Sequence, residues 1–125
     1  YRMPNLNAAL GCAQLRKIDD FCKSKRKLYL KYEEAFRNLQ GITLFREPYL
    51  SRSNYWLQTL ILDNGLEDEL ENILEFTNNN GIMTRPAWDL LPYLKMFKSF
   101  PKAPLPIAHS LSKRIINIPS SAYLV

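Results

Sequence analysis

Apolar residues recur at helical spacing from the start of the chain: Leu6, Leu10 and Ala13, then Ile18, Phe21 and Cys22, then Leu28, Tyr32, Phe36 and Leu39. Residues three and four apart share a helix face. The stretch therefore predicts one long helix, or two helices bent within the basic run Lys23-Ser24-Lys25-Arg26-Lys27. Pro4-Asn5 fits its start, with Asn5 as N-cap, and Gly41 fits its left-handed stop. The period then shortens. Ile42-Thr43-Leu44-Phe45 reads as a strand, 46–53 as a loop, and Tyr55 to Leu62 as a buried strand. Asp63-Asn64-Gly65 turns the chain into a helix whose inner face carries Leu66, Leu70, Ile73, Leu74 and Phe76, and which Asn78-Asn79-Asn80-Gly81 ends. Ile82-Met83-Thr84-Arg85 predicts a third strand, 107–114 a short helix, and Ile115-Ile116-Asn117-Ile118 a last strand.

Between the third strand and the last helix the pattern changes. Pro86, Pro92, Pro101, Pro104 and Pro106 rule out regular ladders, while Trp88, Tyr93, Met96, Phe97 and Phe100 argue against disorder. An ordered loop of this length is a site or an interface. The succession helix, strand, strand, helix, strand, loop, helix, strand fits a single α+β domain over 1–125, within the broad α/β class. Its architecture is a small, mostly antiparallel sheet with a long N-terminal helix and helices packed on one face.

Composition narrows the function. With 125 residues, 46% of them apolar, the chain can build one core. The net charge of +5 suits nucleic acid, anionic lipid or a phosphorylated ligand. Asp19, Asp20, Glu33 and Glu34 surround the basic run, which therefore reads as a solvated helix face. The alternative is a stand-alone basic module for nucleic acid or protein. Against it, the aromatics lie in the proline-rich segment and not among the basic residues, where base stacking needs them. The sequence has no apolar run long enough for a membrane span, and no apolar stretch follows Arg2 as in a signal peptide.

Cys12 and Cys22 on one helix would lie about 15 Å apart, beyond the roughly 7 Å that a disulfide bridges; free thiols fit a reducing cytoplasm. His109 alone makes no zinc site. Nucleophile elbows and Gly-rich phosphate loops are absent. The pairs Asp19-Asp20, Glu33-Glu34 and Asp68-Glu69 fall in exposed-looking helical segments. Gly11 among Ala8, Ala9, Cys12 and Ala13 makes a smooth helix surface that another backbone can approach. The residues thus offer binding surface and no catalytic centre.

Four strings carry a resemblance. Tyr1-Arg2-Met3-Pro4-Asn5-Leu6-Asn7-Ala8-Ala9-Leu10-Gly11-Cys12-Ala13-Gln14-Leu15 resembles the segment opening the C-terminal domain of DegT/StrS-type sugar aminotransferases. Ser53-Asn54-Tyr55-Trp56-Leu57 resembles a core strand of that domain, Gly81-Ile82-Met83-Thr84-Arg85-Pro86-Ala87-Trp88 its substrate-side loop, and Ile116-Asn117-Ile118-Pro119-Ser120-Ser121 its closing strand. Their order spans the chain, and the branch most similar aminates UDP-linked 4-keto sugars on the way to surface polysaccharides.

The resemblance implies the small C-terminal domain of a fold-type I enzyme dependent on pyridoxal 5'-phosphate (PLP). Such an enzyme is a cytoplasmic homodimer that passes an amine from an amino acid, usually glutamate, to a nucleotide-linked keto sugar, with no nucleic-acid or membrane partner. The cofactor lysine then lies upstream, so this chain holds no catalytic residue, is inactive alone, and begins as a fragment would. Tyr1 and Arg2 are the expected cofactor contacts across the dimer, with a helix-capping role as the alternative. Arg85 and Trp88 are the expected substrate contacts, the alternative being a core tryptophan beside an exposed arginine. Asn54 and Tyr55 are expected to be structural. Two positions depart from the family pattern: Ala87 and Pro92 stand where many relatives carry histidine, and neither side chain can donate a hydrogen bond or exchange a proton.

Overall fold

Residues 2–125 are described by the computed structural model, and the expectation for Tyr1 lies outside them. The elements are α1 (Asn5–Leu15), α2 (Ile18–Phe36), β1 (Ile42–Leu44), β2 (Gln58–Leu62), α3 (Glu69–Asn79), β3 (Arg85–Pro86), short 3-10 turns at Leu91–Tyr93 and Lys95–Phe97, α4 (Pro106–Ser112) and β4 (Ile115–Ile118). The strands form one four-stranded sheet in the order β1-β2-β4-β3, and each neighbouring pair is antiparallel.

Side chains alternate across a sheet, and the register uses this directly. Leu60 and Leu62 of β2 and Ile116 and Ile118 of β4 face Leu70 and Leu74 of α3 to make the core. Tyr32 and Phe36 of α2 and Ile42 and Leu44 of β1 pack against the same cluster, so α2 and α3 cover one face. Thr59, Asn117 and Arg85 are register partners and share the opposite face.

The helical N-terminus divides at Arg16–Lys17, not within the basic run. Leu28 and Tyr29 bury α2 on the domain, whereas α1 buries no residue and leaves Leu6 80% exposed. The basic run continues as unbroken helix, since Lys and Arg are good helix formers, and Lys25 and Arg26 reach separate acceptors elsewhere in the domain. Asn5 is the first helical residue and not the cap, which is Pro4. Nothing lies within 4 Å of a Cβ placed on Gly11, so the smooth side of α1 is uncovered within this chain.

Gly41 is left-handed, at φ +81°, but it does not stop the helix, which ends at Phe36. It turns the chain into β1 directly under Leu66, whose Cδ1 would lie 2.9 Å from an added Cβ. Gly81, at φ +78°, does follow the end of α3 as expected. Ile82 then donates its N–H back to Thr77 (2.9 Å), which takes it out of the expected strand; β3 is confined to Arg85–Pro86. Phe76 is 69% exposed and not on the inner face of α3, because it lies about 200° around the helix from Leu74. Tyr55 to Leu57 precede β2 as an irregular turn and do not join the strand.

Candidate substrate-binding site

The segment expected to meet substrate is anchored from behind. Thr84 is buried, and its hydroxyl meets that of Thr77. The Asn78 amide, at the end of α3, donates to the Thr84 carbonyl (3.0 Å), to its Oγ1 (3.1 Å) and to the Leu74 carbonyl (2.7 Å). On the sheet side the Thr59 hydroxyl donates to Asn117 Oδ1 (3.1 Å), and Asn117 Nδ2 donates to the Pro86 carbonyl (3.3 Å). Polar groups on α3, β2 and β4 thereby fix the backbone on both sides of Arg85.

Arg85 itself is exposed, and its guanidinium touches only the Met83 thioether, at 3.6 Å, among the described residues. Trp88 is 75% exposed and so lies outside the core of this domain. It borders a cleft of about 790 Å³ shared with Glu67, Glu71, Tyr93, His109 and Lys113. His109 meets the Tyr93 ring edge-on at 6.0 Å, and Lys102 lies 5.7 Å from the centre of the same ring. Ala87 lines this cleft too, without a side-chain donor.

Trp88 has a partner that the sequence did not disclose. Trp56, 64% exposed, lies with its ring centroid 6.1 Å away at an interplanar angle of 36°. Trp56 precedes β2 and Trp88 follows β3, strands separated by β4. Trp56 also borders a second, more apolar groove of about 430 Å³ with Phe21, Cys22, Lys25 and Tyr123.

The turn that presents Trp56 is heavily restrained. Tyr55 adopts φ +48°, a left-handed conformation that costs a non-glycine residue about 1–3 kcal/mol. It is buried and stacked on Tyr29 (centroids 4.5 Å apart), with the Arg26 guanidinium 5.0 Å from its ring centre. Burial raises the pKa of the Tyr55 hydroxyl, and the nearby Glu47 carboxylate adds to the rise. The Tyr55 N–H donates to Ser53 Oγ (3.0 Å) and the Trp56 N–H to Asn54 Oδ1 (2.9 Å), which gives Asn54 and Tyr55 the structural roles expected of them.

Lys25 supplies the third restraint. Its ammonium donates to the carbonyls of Tyr55 (3.3 Å), Trp56 (3.3 Å) and Ser120 (2.5 Å). Burial lowers its pKa from the ordinary 10.5. Arg26 makes a bidentate pair with Glu47 (2.7 and 3.0 Å), and Glu47 also accepts from the Ser53 N–H (2.6 Å). That arginine, together with the backbone bond, holds the Glu47 carboxyl at about 2. The basic run is therefore not a wholly solvated face: Lys25 and Arg26 are engaged internally, while Lys23 stays exposed beside Asp20. Composition and helical spacing carry no trace of this, since the acceptors lie 21 to 95 residues away.

Arg2 is exposed and has no hydrogen-bond partner among the described residues. The structure brings Trp88 together with Trp56, and Arg85 onto the same short segment; among the described residues no hydrogen bond or ion pair joins Arg2 to them.

Comparison with known proteins places this geometry in context. All of residues 1–125 match the DegT/DnrJ/EryC1/StrS aminotransferase family. A GDP-perosamine synthase of Vibrio cholerae is 35% identical over 121 residues, covering 96% of this chain and 33% of that protein. A dTDP-4-amino-4,6-dideoxy-D-glucose transaminase of Escherichia coli is 25% identical over 122 residues, covering 94% of this chain and 33% of its own length. The solved structure of Helicobacter pylori PseC, an aminotransferase involved in the biosynthesis of pseudoaminic acid, superposes with a TM-score of 0.91 at 21% identity, over 100% of this chain and 34% of that one. The chain thus spans about a third of the length of the curated relatives it matches. Its fold agrees with the corresponding third of such enzymes, and by sequence the chain belongs to the DegT/DnrJ/EryC1/StrS aminotransferase family of PLP-dependent sugar aminotransferases.

Proposed function

We propose that this chain is the C-terminal domain of a PLP-dependent aminotransferase that moves an amine from glutamate to a nucleotide-linked keto sugar for a surface polysaccharide. The family match over residues 1–125 carries the reading. The parent enzyme is then a cytoplasmic homodimer, and the exposed small-residue side of α1 is where another subunit or domain packs. When bound, PLP supplies the electron sink for amine transfer. This chain fits one part of that cofactor only: the Arg2 guanidinium, without a partner among the described residues, suits a phosphate, and Tyr1 precedes it in the sequence. The lysine that anchors the cofactor belongs to the preceding large domain, and Lys25 cannot replace it because its nitrogen already meets three carbonyls. The domain alone is therefore inactive.

The chain's own work is recognition. Arg85, exposed on a fixed backbone, pairs a carboxylate or phosphate of a substrate. Trp88 covers one face of the sugar and keeps water from it. Asp68, Glu71 and Asp89 line the larger cleft against Lys113, with Glu67 paired to Arg114, and this acidic excess disfavours a diphosphate there, which favours phosphates on the Arg85 side of Trp88.

The test uses the full-length protein. It should bind PLP with visible absorbance and transfer the amine of glutamate to a UDP-, GDP- or dTDP-linked 4-keto sugar, read by mass spectrometry. Arg85→Ala should lower kcat/KM roughly ten- to hundredfold, as loss of a charged hydrogen bond does. A protein that takes up no PLP, or aminates none of the three sugars, would remove the reading.

A further inference from the structure

We infer that Trp56 is a second sugar-binding residue, paired with Trp88, and that Lys25 is the positioning residue that holds it in place. The inference rests on the sugar-aminotransferase reading above and adds to it two residues which that reading does not use. Three observations carry it. First, Trp56 and Trp88 are 64% and 75% exposed, yet they lie against each other at 6.1 Å. A contiguous apolar surface of two indoles, left open by the domain, marks a contact for a ligand or partner. Second, the Trp56 backbone is immobilised at every polar atom: its N–H meets Asn54, and its carbonyl accepts from Lys25 (3.3 Å) and from Ser120 Oγ (2.8 Å). Third, a buried Tyr55 is held at φ +48° immediately before it. Strain and restraint of this kind are not needed to leave a side chain in water; they fix the direction of an indole that has something to meet.

The geometry also selects the ligand surface. At 6.1 Å the two rings are too close to admit a third ring between them, since stacked rings lie about 3.5–4 Å apart at van der Waals contact. The ligand therefore does not enter between them and lies against the surface that both indoles leave exposed. Aromatic faces carry negative charge density and attract the polarised C–H groups on one side of a pyranose ring. Ala87, which lines the cleft beside Trp88, offers no side-chain donor where the resemblance leads one to expect histidine. Sugar recognition here then falls to shape and C–H contact, which makes Trp56 a specificity-determining residue. Lys25 acts through it: with the ammonium removed, the Tyr55 and Trp56 carbonyls lose their common donor, and the turn relaxes.

The experiment compares full-length wild type, loaded with PLP, with Trp56→Ala, Trp56→Phe, Trp88→Ala, Lys25→Met and Lys25→Arg. Calorimetry measures affinity for UDP-, GDP- and dTDP-glucose and for the matching nucleoside diphosphates. Trp56→Ala should weaken binding of the nucleotide sugar roughly three- to tenfold while the bare diphosphate binds as before. Trp56→Phe, which keeps an aromatic face and guards against misfolding of the alanine variant, should retain most of the affinity. The exciton couplet of the indole pair in circular dichroism should vanish in either tryptophan variant. Lys25→Met should reproduce the Trp56→Ala loss without adding to it in the double variant, and Lys25→Arg should restore part of it, which a purely structural lysine would not do. Equal sugar affinity in Trp56→Ala and wild type overturns the inference and leaves the aminotransferase reading standing. So does a Trp56 indole already shielded from acrylamide in the ligand-free protein, which would mean that polypeptide covers it. If wild type binds none of the three nucleotide sugars, the aminotransferase reading falls and takes this inference with it.

Discussion

Asn78→Ala should loosen the substrate-side segment without touching it. The two amide protons of Asn78 serve three oxygens: the Leu74 carbonyl, the Thr84 carbonyl and Thr84 Oγ1. The Thr84 hydroxyl keeps its bond to Thr77 after the substitution, so the main casualty is the Thr84 carbonyl. An ordinary hydrogen bond contributes about 0.5–1.5 kcal/mol, and a buried acceptor left without a partner costs about 1–3 kcal/mol. Asn78 is itself exposed, so water reaches part of the gap. The expected loss is therefore near the lower end, about 1–2 kcal/mol. Asn78→Asp should be worse than alanine at neutral pH, because it turns a carboxylate toward the Leu74 and Thr84 carbonyl oxygens, which repel it. Urea unfolding gives the size, and hydrogen exchange across 82–88 gives the place. In the full-length enzyme the change should raise KM more than it lowers kcat, since Arg85 is displaced and no reacting group is lost. Stability within about 0.3 kcal/mol of wild type for both variants, with unchanged exchange, would refute the view that α3 anchors this segment.

Three further outcomes follow from the same structure. The Glu47 carboxyl, held at about 2 against an ordinary 4.5 by Arg26 and the Ser53 N–H, contributes stability that is fully present above about 4.5 and is lost as the pH falls toward 2. Glu47→Gln should flatten that acid limb in a pH-dependent unfolding series; an unaltered limb would deny the clamp its role. Gly41→Ala should cost about 1–2 kcal/mol of left-handed strain, plus the displacement of Leu66 Cδ1 from 2.9 Å, whereas Gly65→Ala, with nothing within 4 Å, should show the strain alone. Comparing both in a Leu66→Ala background should abolish the difference between them. Leu74→Ala should cost about 2–5 kcal/mol, while Phe76→Ser should stay within about 0.5 kcal/mol if that face of α3 is solvent in the whole protein; thermal unfolding separates the two.

Much of the site's scaffold was readable in the residues. Arg85 and Trp88 were singled out by the string around them, and the structure places both exposed on one short segment. Trp56 was legible only as part of a string resembling a core strand, because a lone tryptophan before a β-rich run normally packs inward. Its outward direction comes from the left-handed Tyr55, a conformation for which a tyrosine gives no local warning. Lys25 and Arg26 were hidden in a charge run for the same reason: their acceptors are carbonyls and one carboxylate far along the chain.

By itself the sequence determined the kinds and order of the elements, the glycine left-handed after α3, and the family, because periodicity, punctuation and motif are properties of neighbouring residues. The tertiary structure alone decided the break at Arg16–Lys17, the exposure of Phe76, the pairing of Trp56 with Trp88 and the engagement of Lys25. Those depend on which surfaces the sheet order β1-β2-β4-β3 brings together, and a contact between residues 32 positions apart, as in Trp56 and Trp88, leaves no periodicity to read.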